Sequence, residues 1–427
     1  MKKIPYGITD FRELRNGDYY YVDKTGFIEA LLNMDYPAIF RPEGMGKSLF
    51  ASTLKYYLDY KYEDEFNFLF EGTYIGEYPE VWQNSLAVLS LDFSELTSDP
   101  KEFREDFDAF IYRKFEEFIV ENDIESFEMP GYYECAGFMM DFFEELRGNI
   151  DYNIFVIIEN VDSFAIEMYK KDPEALAGFL NYDIVQFFDA LDYLAYGGIE
   201  AVVNIFVTGV TPLVMHQKLT DISLEGELHN MLGFTTIELK LAADAVAPEN
   251  VDVNQAMLDM VTLYKGHRFS LSDPQPDWDQ REELDEELET ELRSLIEFSA
   301  ERENHLFNPA MTLWYLKALA ETGVPPKRLI DPRLRSYAKI KEVALIKMRD
   351  KLDHKALLSS VVQGYLEEAV VSESFSSYTF TEDDFLSFMF YMGYLTILRT
   401  DDDGVSTMMI PNSALTGEFR SKLRGRK

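Results

Sequence analysis

"YPAIFRPEGMGKSLFASTLKYYLDY", residues 36–60, decides how the chain is read. Ala38, Ile39 and Phe40 form a short apolar run, Pro42 and Gly44 break it, and Leu49, Leu54, Tyr57 and Leu58 then recur at helical spacing. That pattern is strand, loop, helix. Gly46, Lys47 and Ser48 stand at the junction of loop and helix. A helix N-terminus gathers unpaired backbone N–H groups, a lysine there reaches the outer phosphates of a nucleotide, and a neighbouring hydroxyl holds magnesium. The full phosphate-loop pattern, G-x-x-x-x-G-K-[ST], opens with a glycine, and Arg41 occupies that position. Taken alone, these residues leave two readings open: a nucleotide site, or an ordinary glycine-containing strand–helix turn.

Further apolar runs follow at 86–94 ("LAVLSLDFS"), 152–164 ("YNIFVIIENVDSF") and 199–213 ("IEAVVNIFVTGVTPL"). Helical segments such as "FREDFDAFIYRKFEEFIVEN", residues 103–122, lie between them. Near-continuous apolar strands alternating with helices predict an α/β domain over 1–245, with a mostly parallel sheet covered on both faces. Beyond about residue 240 such runs stop. "VNQAMLDMVTLYKG" is helical, and Leu284, Leu288, Leu292 and Leu295 mark a surface helix with an acidic outer face. Residues 246–340 are therefore expected to form a helical lid with an acidic insertion, ending in the linker-like "ETGVPPKRLIDPRL". In 341–427 the pattern is helices, the last of them "FLSFMFYMGYLTIL", then a hairpin around Asp402, Asp403 and Gly404. A small winged-helix-like domain is expected there.

Charge narrows the function classes. The 40 basic residues face 77 acidic ones, a net charge of −37. Such a surface repels a phosphate backbone, which argues against general nucleic-acid binding. It fits simple solubility, or docking of a basic protein partner on carboxylates such as Glu282, Glu283, Glu286 and Glu287. Cys135 is the lone cysteine, and His216, His229, His267, His305 and His354 are scattered, so nothing has the spacing of a zinc site. The N-terminus has no apolar run of a signal peptide, and no 18-residue apolar stretch exists, so a cytoplasmic protein that does not span a membrane is expected.

A phosphate-loop protein also needs an acid at the end of a neighbouring apolar strand to support magnesium. "FVIIENVD" ends in Glu159 and Asn160. Glu159 can support the metal through water. Asn160 cannot act as a general base, because a carboxamide has no useful proton affinity near neutral pH. Asp162 is either a replacement base or a helix N-cap.

Several stretches together resemble the AAA-ATPase-like family of bacterial P-loop proteins, which often carry a PD-(D/E)XK nuclease at the C-terminus. "IPYGITDFRELRNGDYYYVDKTGFI" resembles the family's opening, including its V-D-K-T. "FRPEGMGKSLFASTL" resembles its phosphate loop, in which an arginine at the first-glycine position is normal. "VLSLDFS", "FVIIENVD" and "IFVTGVTPL" resemble its later strands, the last placing Thr208 as a polar sensor. "LGFTTIEL", "YKGHRF" and "LFNPAMTLWYLK" resemble its lid, and "FMFYMGYLTI" and "MIPN" the segment before the nuclease.

The resemblance implies an ATP and magnesium site built from Arg41, Gly44, Gly46, Lys47, Ser48 and Leu49, with Ser48 and Glu159 toward the metal and Glu159, Asn160, Asp162 and Thr208 as catalytic candidates. Three departures matter. The family's paired arginines before the Gly-Lys-Ser are Glu43 and Gly44 here, which adds a negative charge beside the phosphates. Its Asp-Glu is Glu159-Asn160. The sequence also ends soon after "IPN", with no room for the nuclease, and the E-x-K string at Glu238-Leu239-Lys240 has no paired acid. Three readings follow: a nucleotide-binding module with slow or absent hydrolysis, acting as a regulatory or scaffold element; a non-enzymatic acidic scaffold with a vestigial loop; and an active ATPase with Asp162 or Asp92 as base. Rings or other oligomers are compatible with the resemblance.

Overall fold

A computed structural model describes residues 2–125, 127–146, 149–196, 201–272, 304–338, 354–375 and 381–423. The four apolar runs are strands: β1 (Pro37–Phe40), β2 (Ala87–Asp92), β3 (Ile154–Glu159) and β4 (Val202–Gly209). A two-residue β5 (Thr220–Asp221) follows, and the five form one sheet in the order β2-β3-β4-β1-β5. Every neighbouring pair is parallel. The C-terminal ends of β1, β3 and β4 therefore lie together on one edge, where the loops that carry the candidate residues emerge.

Alternation along the strands divides their side chains between two cores. Ala38 and Phe40 of β1, Val156 and Ile158 of β3 and Val207 of β4 join the cluster that contains the helices Phe103–Glu121, Cys135–Leu146 and Asp183–Tyr196. Ile39, Phe155, Ile157 and Phe206 point to the opposite face, against Phe50, Leu54 and Leu58 of the helix Lys47–Leu58. The larger cluster runs from Tyr36 to Phe419 and takes in residues on both sides of positions 245 and 341.

The second half holds the helices Thr236–Val246, Val253–Tyr264 and Pro309–Thr322. Residues 281–297, where the acidic helix is expected, lie outside the described residues, as do 339–353. Near the C-terminus a second sheet, β6 (Glu367–Val370), β7 (Thr396–Thr400) and β8 (Val405–Met409), is antiparallel in the order β6-β8-β7. It is accompanied by the helices His354–Gln363, Glu382–Tyr391 and Ser413–Leu423. The expected hairpin is present: Asp401 accepts from Asp403 N and Val405 N around its turn. One expectation is corrected. "FLSFMFYMGYLTIL" is not a single helix. Its helix stops at Tyr391, Gly393 takes the left-handed conformation (φ 77°), and Thr396–Leu398 enter β7. A left-handed glycine ends a helix, and β-branched Thr396 and Ile397 suit a pleated strand. Strand β6 was not expected from the sequence at all. Among the described residues no helix is long and apolar enough to cross a membrane.

Candidate functional site

The loop after β1 makes its turn on two glycines with positive φ, Gly44 (84°) and Gly46 (100°). Gly46 is the N-cap of the helix Lys47–Leu58, and among the described residues no side chain makes a capping hydrogen bond there. A Cβ built on Gly46 would meet nothing within 4 Å, because it would project into open space in front of the helix N-terminus. Lys47 is the first helical residue and only 8% exposed. Its Nζ folds back to donate to Arg41 O at 2.7 Å and Pro42 O at 3.0 Å. Burial pushes its pKa down to about 8, against the pull of the Asp162 and Glu43 carboxylates. A buried ammonium that, among the described residues, has only carbonyl dipoles for hydrogen-bond partners and stands at a helix N-terminus is matched to an anion.

The Ser48 hydroxyl lies near Glu159 at the end of β3 and favours its charged form. Burial, helped by nearby Asp92, raises the Glu159 carboxyl to about 6 against the opposing pull of the Ser48 hydroxyl and Lys47. Asp92 is the in-register neighbour of Glu159 on β2. Next in the chain, Asn160 adopts φ 53°, a left-handed conformation that asparagine tolerates better than most residues. Its Nδ2 donates to Asp92 Oδ1 at 2.9 Å.

The remaining candidates are placed differently from one another. Leu49 and Asn160 line the cavity described below, as do Gly44, Gly46, Lys47 and Ser48. Thr208 is buried near the end of β4, in register with Ile39, and alternation puts its side chain on the Glu159 face. Asp162 is near enough to Lys47 for its charge to be felt there, but its hydrogen bonds run elsewhere. Its two oxygens accept from Val210 N (2.8 Å), Thr211 N (2.7 Å) and Thr211 Oγ1 (2.6 Å), so this carboxylate holds the turn after β4.

Arg41 is fully buried and is not part of the cavity wall. Its NH1 donates to Phe40 O and Ser223 O, its guanidinium lies 4.3 Å over the Phe269 ring, and burial lowers its pKa to about 9. The arginine at the first-glycine position therefore braces the back of the loop, with the Asp221 carboxylate nearby. Glu43, expected to repel phosphate, sends its Oε2 to Ser336 N and Oγ, both at 2.8 Å, although its charge still reaches Lys47.

A cavity of about 430 Å³ opens in front of the loop. It continues from Gly44–Phe50 into an apolar compartment lined by Ile8, Val22, Phe234, Ala242, Val246 and Leu313, with Lys24 and Arg333 as cations on its wall. Lys24 is buried and paired with Glu238 and Asn230 O. Arg333 pairs with Asp331 and lies 3.4 Å over the Tyr6 ring. These residues come from the segments around 4–24, 230–246 and 309–334, and no local pattern marked them as one wall. Size and lining suit a small molecule with an apolar body and an anionic end.

The donor set fits a nucleoside triphosphate with magnesium. Lys47 and the helix N–H groups face the space in which phosphates would lie, and the apolar compartment accommodates a base. Among the described residues no cluster of three His, Cys, Asp or Glu side chains could hold a metal ion. A divalent cation would therefore rest on Ser48, Glu159, water and the phosphates themselves, as magnesium in such sites does.

Comparison with known proteins agrees with this geometry. Over 55 residues, 12% of its length, the chain is 51% identical to an "Uncharacterized protein in vnfD 5'region" of Azotobacter chroococcum mcd 1, and the match spans 11% of that relative. A family model described as "Predicted AAA-ATPase" matches residues 5–219, half of the chain, including β1, the phosphate loop and the strand ends of β3 and β4. The chain belongs to the AAA-ATPase-like family.

Proposed function

We propose that this protein binds a nucleoside triphosphate, ATP by likeness to its family, together with magnesium, and hydrolyses it slowly or not at all, serving as a regulatory or scaffold module. The observation that carries the reading is Lys47: a buried ammonium that, among the described residues, bonds only to Arg41 O and Pro42 O, at a helix N-terminus that opens on the cavity. Lys47 would neutralise the outer phosphates, Gly46 and the following N–H groups would orient them, and Ser48 with Glu159 would hold the cation and its water. Magnesium would supply charge neutralisation at the phosphate oxygens.

Slow turnover is supported by the position after Glu159. Asn160 stands at the cavity wall with a carboxamide that takes no proton. Asp162 is committed to three hydrogen bonds with the turn after β4. A missing general base removes a factor of about 10²–10⁴ in rate. The excess of carboxylates supports a basic protein partner, whose docking would weaken with salt.

Calorimetry with ATP and magnesium tests the reading. Heat of binding is expected with the parent protein and none with Lys47→Ala. Asn160→Glu is expected to raise phosphate release above the parent. No heat at millimolar nucleotide would favour the acidic-scaffold reading. Brisk phosphate release from the parent, lost in Lys47→Ala, would show that Asn160 is not the block.

A further inference from the structure

The outer surface of the phosphate loop is fastened, residue by residue, to the second half of the chain. Glu43 O accepts from Asn308 Nδ2 at 2.8 Å, Gly44 O from Ala310 N at 3.2 Å, and Met45 O from Gly233 N at 2.9 Å. Asn308 is the buried N-cap of the helix Pro309–Thr322, so that helix is aligned directly on the loop.

A second set of contacts reaches further. The Glu43 carboxylate accepts from Ser336 N and Oγ, and Ser336 O accepts from the Tyr394 hydroxyl. Tyr394 belongs to the turn between the helix Glu382–Tyr391 and β7, and its ring packs on Tyr337 and Phe419. Pro42 lies against the same turn, so close that a Cβ on Gly393 would come within 2.8 Å of its ring. Phe40 meets the Tyr391 ring edge-on.

Lys47 holds the trigger. Its ammonium bonds to the carbonyls of Arg41 and Pro42, two loop residues whose side chains pack on the second half. Phosphates in the loop would draw Nζ off those carbonyls. They would also place negative charge beside Glu43, whose carboxylate is the near end of the link to Ser336. Both changes act on the backbone that carries the contacts to the 391–394 turn.

Resting on the nucleotide reading, we infer that the antiparallel C-terminal unit (β6–β8 with its helices) senses the phosphate state of the loop through Glu43, Ser336 and Tyr394. Nucleotide binding and the stability of this unit are then thermodynamically linked, each shifting the other. The lever would act at the position where the family carries an arginine, so the acid at 43 serves communication rather than phosphate binding.

Hydrogen exchange on the full chain tests this, with and without ATP and magnesium, alongside direct measurement of binding by calorimetry. In the parent, backbone exchange in peptides covering 382–409 is expected to change by about fivefold or more on saturation, the lower end of ordinary coupling. Tyr394→Phe removes one hydroxyl and keeps the ring packing. Ser336→Ala removes one of the two bonds to Glu43. Neither residue lines the cavity, so the double variant is expected still to bind nucleotide while losing the exchange response at 382–409. Binding with unchanged exchange in the parent would overturn the coupling and leave the nucleotide site standing. An equal response in parent and double variant would overturn the route through Ser336 and Tyr394. No binding by the parent would overturn the nucleotide reading and this inference with it.

Discussion

Glu159 is a carboxylate held where its charge is disfavoured. Its burial and the neighbouring Asp92 raise its pKa from the ordinary 4.5 to about 6. The native state thus binds this proton more tightly than the unfolded chain. Stability is lost as pH rises from 4.5 through 6, and the whole cost, about 2 kcal/mol for a shift of this size, is present at neutral pH. A nearby magnesium ion would offset it, which is a reason to find such a group at a metal-supporting position. Glu159→Gln keeps the shape and cannot ionise. It is expected to melt above the parent at pH 7.5 without nucleotide, with the difference vanishing near pH 4.5. The same variant is expected to weaken magnesium-dependent nucleotide binding. Calorimetric melting at the two pH values checks the first part, and a difference independent of pH would show that the charge is not the cause.

At the scale of the loop and its helix, Gly44 and Gly46 need glycine for different reasons. Both have positive φ, which costs an L side chain about 1–2 kcal/mol. Gly44 is also hemmed in: an added Cβ would meet Asn308 Oδ1 at 2.7 Å, Ala310 Cβ at 2.8 Å and Leu334 Cδ2 at 2.8 Å. At Gly46 the same atom would meet nothing within 4 Å and would stand in the cavity. Gly44→Ala is therefore expected to lower thermal stability more than Gly46→Ala, by roughly 1–3 kcal/mol of overpacking. Gly46→Ala is expected to cost binding more than stability. Parallel melting curves and nucleotide titrations of the two variants separate these effects. Equal losses of stability would show that the loop yields freely against the helix Pro309–Thr322.

At the scale of the whole molecule, the core of the second half buries histidines. The backbone of His267 pairs with Leu306, and its ring lies parallel to Phe269 with centroids 6.0 Å apart. Among the described residues neither ring nitrogen has a hydrogen-bond partner, and burial lowers the pKa from 6.5 to about 4. Here the unfolded chain takes the proton first, so the stability contributed by the neutral ring is present above pH 6.5 and lost as pH falls toward 4. The shift corresponds to about 3 kcal/mol. His267→Phe should remove this dependence while filling the same space. The melting temperature of the variant is expected to rise relative to the parent as pH is lowered from 7 to 4.5. A constant difference across that range would place the acid sensitivity in other groups.

Much of the first half was legible before any coordinates. The runs at 38–40, 86–94, 152–164 and 199–213 are strands because parallel strands buried on both faces must be apolar throughout, a signal that survives in one dimension. Gly46, Lys47 and Ser48 were legible for a similar reason, since a helix N-terminus on a glycine turn is a local structure. The later elements were harder. "FLSFMFYMGYLTIL" is apolar enough to be read as either state, and only the left-handed Gly393 and the pairing of Thr396–Thr400 with β8 decide it. Side-chain direction was beyond the sequence altogether. Arg41, Glu43 and Asp162 sit within a few residues of the site in the chain or on its strand ends, yet Arg41 turns under the loop, Glu43 reaches Ser336 and Asp162 binds the turn at 210–211. Local sequence establishes which groups are available near the phosphates. Whether each one faces the cavity depends on partners nearly 50 to about 290 residues away, Ser223 for Arg41, Thr211 for Asp162 and Ser336 for Glu43, which only the tertiary packing brings together.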